Sequence, residues 1–194
     1  MSIGPLKHAG IVERAAVARL RARMPAYTAE AAAQDAVLTG GDPLALPDLR
    51  GVIRVSELAR WPEQQLPLAA VISAGTATEP ERDGEGMYRA AWSLSVAVLV
   101  ASAEEEGSRD LAHLYGAAVR GCLLQDRSLG GAVRVTGWLG ESLDDLPVAQ
   151  RRTMFGHLNL FAVQLDDVVS WQGTLNEGWE AETATVTVNP SEDP

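Results

Sequence analysis

From residue 92 to residue 101 the chain alternates without a break: Trp92, Leu94, Val96, Val98 and Val100 fall on one side of an extended strand, Ser93, Ser95, Ala97, Leu99 and Ala101 on the other. A strand with one greasy side and one small side needs a layer laid over the greasy side, which excludes an all-helical fold. The sequence supplies that layer at once. A helix opens either at Ser102, where Ser102-x-x-Glu105 has the form of a capping box, or at Ser108 as N-cap. Within it Leu111, Leu114, Tyr115, Ala118, Cys122 and Gln125 recur at helical spacing, which predicts a stripe lying on the sheet. Acidic residues Glu104, Glu105, Glu106 and Asp110 stand near the positive end of this helix, where they are stabilising.

The remaining elements follow from the same grammar. Residues 68–73 are a short apolar run, and the polar, turn-rich stretch 75–86 joins it to the alternating strand as a long hairpin. Beyond the helix, Gly130-Gly131 turns into a strand at 132–139, in which Val133, Val135 and Leu139 alternate with Arg134, Thr136 and Trp138. A polar loop with Asp144, Asp145 and Pro147 comes next. Residues 153–165, apolar on both parities, then read as a central or doubly covered strand.

Ahead of the hairpin, residues 8–24 form a helix with Val12, Ala15, Ala16 and Leu20 on one face, ended by Pro25. Residues 26–66 read as an irregular excursion, with an Ala-rich helical patch at 28–38, a Gly40-Gly41 stop, and Pro43, Pro47, Pro62 and Pro67 as breakers. The predicted fold is therefore α+β: a small, mostly antiparallel four-stranded sheet with helices packed on one face, in chain order α-β-β-α-β-β. It occupies residues 1–170. An acidic C-terminal arm, 171–194, completes the chain, and within it residues 183–188 are a strand-like patch with no sequential partner.

Composition bears on function. A chain of 194 residues suits one domain with an arm rather than two domains. Cys122 is the single cysteine, so no intramolecular disulfide forms, and the start of the chain lacks the basic and apolar regions of a secretory leader; both features suit a reducing cytoplasm. The most apolar stretch, 94–101, falls short of the roughly 18 residues of a membrane helix, so no membrane partner is expected. Acidic residues number 26 against 16 basic ones, a net charge of −10 that opposes phosphate-driven binding of DNA or RNA. The imbalance is uneven. Lys7, Arg14, Arg19, Arg21 and Arg23 face only Glu13 in residues 1–24, whereas 166–194 hold acids and no Lys or Arg, a polarity that suits head-to-tail contact between identical copies.

A search for chemistry returns little. The chain has no Gly-x-Ser-x-Gly, Walker loop, His-Glu-x-x-His or Cys-x-x-Cys. His8, His113 and His157 have no metal-ligand spacing, and Cys122 lies on the apolar stripe of a helix, where a thiol behaves as a small hydrophobe. The pairs Asp144-Asp145 and Asp166-Asp167 read as turn and surface residues, and Gly84-Glu85-Gly86 lies between strands rather than opening a helix as a dinucleotide fingerprint does. No catalytic, cofactor or metal site is expected. Trp61, Trp171 and Trp179 fall outside the predicted strands, and Trp is enriched at interface anchors.

One stretch is recognisable. Tyr88-Arg-Ala-Ala-Trp-Ser-Leu-Ser-Val-Ala-Val-Leu-Val, then Asp110-Leu-Ala-His-Leu-Tyr-Gly-Ala-Ala-Val-Arg-Gly-Cys-Leu-Leu-Gln-Asp, resembles the phage tail terminator proteins in element order and texture. Leu123-Leu-Gln-Asp126, Gly130-Gly131 and the run from Arg152 to Leu165 stand where that layout has a helix end, a glycine turn and a late strand. The resemblance covers roughly residues 68–170 and extends to the related neck and head-completion proteins.

It implies a virion protein that is no enzyme: a homohexameric ring at the head-proximal end of a tail, assembled in the host cytoplasm. Such a ring ends polymerisation of the tube and joins the head. Its partners would be other copies of itself, the major tail tube protein and a head-completion connector, with DNA passing through the lumen unbound. In such a ring the loop bearing Glu79, Glu81, Arg82, Asp83 and Glu85 projects to a partner. Arg14, Arg19, Arg21 and Arg23, with Trp171, Trp179, Val186 and Val188 of the arm, make contacts between subunits. The rival class, a small ligand-binding or enzymatic α/β domain, calls for a concave pocket with converging polar groups.

Overall fold

A computed structural model describes residues 8–54, 66–82, 88–101, 105–147 and 153–164. In chain order the elements are α1 (Ala9–Thr39), β1 (Gly51–Arg54), β2 (Leu68–Ile72), β3 (Glu81–Arg82), β4 (Tyr88–Arg89), β5 (Ala91–Ala101), α2 (Glu105–Gln125), β6 (Val135–Pro147) and β7 (Thr153–Gln164). The alternating run is β5, and it holds the middle of a five-stranded sheet of order β1-β2-β5-β7-β6. Strand β5 pairs antiparallel with β2 on one side and with β7 on the other, β7 pairs antiparallel with β6, and β1 runs parallel to β2. The class is α+β, and the sheet is mixed.

Both helices lie on the face that the alternation marks. Leu94, Val96, Val98 and Val100 of β5 share one buried cluster with Val12, Ala16, Leu20 and Met24 of α1 and with Tyr115, Val119, Cys122 and Leu123 of α2. Register carries the same face across the sheet: Val71 stands beside Val96, Leu94 beside Phe161, Trp92 beside Val163. The reverse face holds a small cluster of Leu66, Leu68 and Leu99, with Ile53 and Ala101 against it.

The expected four-stranded, mostly antiparallel sheet has a fifth strand, β1, which runs parallel to β2, and other expectations need correction as well. Pro25 does not end the first helix, which runs 31 residues through it to a left-handed Gly40. A proline inside a helix costs about 3 kcal/mol, but the buried stripe Val12, Ala16, Leu20, Met24 continues in phase through Thr28, Ala32 and Ala36. Pro25 sits on the exposed side, and the Thr28 hydroxyl donates to the carbonyls of Met24 and Pro25 at 3.2 and 2.9 Å. The excursion read over 26–66 is irregular only at 40–50 and at Leu66 within the described residues, and the helical patch at 28–38 with its stop at Gly40 stands, as part of α1. Residues 26–54 contain half of α1 and the fifth strand, β1, whose four residues are too few to show alternation; Val52 points to the helices and its carbonyl accepts both Nε and Nη2 of Arg21.

Two further corrections concern α2 and β6. Ser108 lies inside α2 and is fully buried, so the later helix start is not used, and Ser102 lies outside the described residues. The buried arc runs through Ala112, Tyr115, Ala118, Val119, Cys122 and Leu123, while Leu111 and Leu114 are half-buried and Gln125 is exposed. The arc is rotated because α2 packs on α1 as well as on the sheet. Arg19 Nε donates to the Cys122 carbonyl at 3.1 Å, and Tyr27 packs against Gly121. Strand β6, expected to stop at Leu139, runs to Pro147, so Asp144 and Asp145 belong to a strand and not to a loop. A register shift between Trp138 and Gly140 re-phases its alternation, which hides its second half from a period-2 reading.

Candidate interaction surfaces

The expected partner loop is anchored more tightly than its composition suggests. Thr76 bridges Trp92, Ala77 N donates to the Ala91 carbonyl at 2.6 Å, and β3 pairs with β4 as a separate two-stranded ribbon, with Glu81 opposite Arg89 and Arg82 opposite Tyr88. Glu79 and Glu81 are exposed. Asp83, Glu85 and the side chain of Arg82 lie outside the described residues.

The four arginines of α1 divide by task. Arg14 and Arg23 are exposed. Arg19 reaches α2, with its Nη1 3.6 Å from the Asp126 carboxylate, and Arg21 reaches β1, so these two tie α1 to other elements of the same chain. Asp126 also accepts from the Ser128 hydroxyl and from the Gly130 N–H, and these bonds, the hydroxyl foremost, hold its carboxyl below the usual range. Trp171, Trp179, Val186 and Val188 lie outside the described residues. Cys122 is buried between the helices, and burial pushes its thiol up to about 11, so it is protonated at neutral pH.

Sequence reasoning missed the surface at the outer edge of β6. Trp138 is 44% exposed and Leu139 62%; Trp138 stands opposite Phe161, on the helix face, while Leu160 of β7, 38% exposed and opposite Gly140, lies on the reverse face. The Arg120 guanidinium lies 4.9 Å from the Trp138 ring centroid and pairs with Glu141 at 2.5 Å. Arg127 Nε donates to the Thr136 carbonyl at 2.9 Å, and Arg134 immediately precedes the strand. Among the described residues no strand pairs with this edge. The signal available in the sequence was small: Trp138 and Leu139 adjacent, between Gly137 and Gly140.

Beneath α2 the sheet carries a polar pocket filled by its own side chains. His157 is 3% exposed, opposite Val98 and Leu143 in register, with its ring against Gly116. Asn159 Nδ2 donates to the Gly116 carbonyl at 3.2 Å and lies 3.4 Å from His157 Nδ1. Burial, above all, lowers the His157 pKa; His113 and Arg120 of α2 act in the same direction and Glu141 of β6 opposes them. The native state therefore holds this imidazole neutral while the unfolded chain binds a proton near the ordinary histidine value, so stability is full above about pH 6.5 and falls as pH drops below it. Urea midpoints from neutral to mildly acidic pH should decline, and His157→Gln should flatten that decline. An unchanged slope in the variant would move the acid sensitivity elsewhere.

Between α1 and α2 runs an open groove of about 930 Å³ with an apolar floor of Ala31, Leu114, Ala117 and Leu124 and a rim that includes Glu30, Asp35 and Arg120. Among the described residues no three His, Cys, Asp or Glu side chains gather as metal ligands, and no helix is long and apolar enough to cross a membrane. No protein-family model and no curated protein matches this sequence.

Proposed function

We propose that this chain is the ring-forming subunit of a phage tail terminator, closing the head-proximal end of the tube and offering a face to the head connector. The observation that supports the reading is the order β5, α2, glycine turn, β6, β7, laid out as one sheet with α2 across it, over the same residues that resemble the terminators. The physics is compatible. Six subunits of net charge −10 give a ring of about −60, and an acidic lumen repels phosphates so that DNA slides through without sticking. Helices confined to one face leave the sheet edges and the β3–β4 ribbon available for contacts with neighbours.

The mass of the purified protein, alone and with tail tubes, tests the reading. Rings of six, formed alone or on tubes, support it; a monomer that never joins a tube refutes it. A sharper outcome concerns the ribbon. Replacing residues 77–90 by a tight turn leaves the five-stranded sheet intact, so the subunit should keep its melting transition, yet complementation with this gene should give tails of uncontrolled length or heads without tails. Normal virions would remove the ribbon from the contact surface.

A further inference from the structure

The outer edge of β6 is unlike a defended sheet edge. Exposed edge strands are ordinarily kept short or blunted with charges and prolines; β6 is 13 residues long, and although Glu141, Asp144, Asp145 and Pro147 guard its second half, its first half, 135–140, has neither a charge nor a proline. Its register shifts between Trp138 and Gly140, and Trp138 and Leu139 stand exposed there. Its first half is also ringed by cations: Arg120 over Trp138, Arg127 on the Thr136 carbonyl, and Arg134 just before the strand. An occupant of this edge should be an extended segment with alternating small apolar side chains and acidic flanks.

The chain contains one such segment beyond Gln164. Residues 183–188 read Thr-Ala-Thr-Val-Thr-Val, with Glu177, Glu180 and Glu182 before them, Glu192 and Asp193 after them, and no Lys or Arg from 166 to the end. The intervening residues 165–182 can span about 60 Å when extended, and they start from Gln164, opposite Val135 at the first residue of β6. We propose that the edge of β6 receives residues 183–188 as an added strand, Val186 and Val188 packing by Trp138 and Leu139 and the acidic flanks lying toward Arg120, Arg127 and Arg134. The neighbouring copy in the ring is the donor, and this last step rests on the terminator reading.

The test uses the full chain. Hydrogen exchange of the β6 amides is measured in the native protein at assembling concentration and in a variant carrying Thr185→Pro and Thr187→Pro. Protection along 135–142 should be lost in the variant while β5 and β7 amides stay as they were. In parallel, Leu139→Cys with Val186→Cys should oxidise to a disulfide, Cys122 being buried. Ladders of cross-linked multimers support the neighbour as donor. Cross-linked monomers uphold the strand on β6 and overturn the exchange between copies, whatever becomes of the ring. Unchanged exchange together with no cross-link overturns the proposal.

Discussion

Val96→Asp is expected to leave no folded protein. Val96 is fully buried in the centre of β5, beside Val71 and Asn159 in register, and faces the helices in the main core. The substitution forfeits about 1.5–3 kcal/mol of side-chain burial and places an unpaired carboxylate in an apolar layer at a cost of several kcal/mol more, against a total stability of about 5–15 kcal/mol. Ser95→Asp is the control: one residue away, on the opposite face and half-buried, it should cost far less. Soluble yield and the circular dichroism melting curve decide. Val96→Asp that melts like the native chain would mean that the two faces of β5 have been assigned the wrong way round.

Gly116→Ala should destabilise the protein although alanine is the better helix former by about 1 kcal/mol. A Cβ at this position would stand 2.2 Å from His157 Nδ1 and 2.3 Å from its Cε1. The ring cannot step aside, because it is buried and bounded by Asn159. Overpacking of this kind costs about 1–3 kcal/mol, so the helix gain is overcome and the denaturation midpoint drops. Adding His157→Ala should restore much of the loss, since the two residues act through one contact and their effects are not additive. A stabilised Gly116→Ala would show that α2 rides higher over the sheet.

How much of this was legible depended on whether one short-range rule governed the residues. The strictly alternating β5 and the helix behind it were legible because each buries one face and its sequence repeats with that face's period. The sheet count was not. Strand β1 has four residues, and its partner is β2, beyond a connection that no local pattern encodes. Pro25 misled for the opposite reason: the local rule was right about the cost and blind to the stripe that continues through Ala32 and Ala36. At the candidate surfaces, charge alone grouped Arg14, Arg19, Arg21 and Arg23, and it did not show that Arg19 and Arg21 bond to carbonyls of the same chain. The exposure of Trp138 and Leu139 depends on a register shift and on the edge position of β6, which a single-strand reading does not contain.

The position of β7 has a consequence for how the protein is made. It comes after β5 and β6 in the chain, yet lies between them. On the ribosome, β5 and α2 emerge first and β6 follows, but neither strand has its inner neighbour until Gln164 has left the exit tunnel. The sheet therefore closes only after synthesis has passed this point: β6 and β7 meet as a local hairpin, whereas β5 must find β7 across α2 and β6, a pairing far apart in sequence and of the slow kind. A chain that stops short of β7 leaves β5 open on one side and β6 without its partner strand, so an interrupted translation product has no route to the finished sheet.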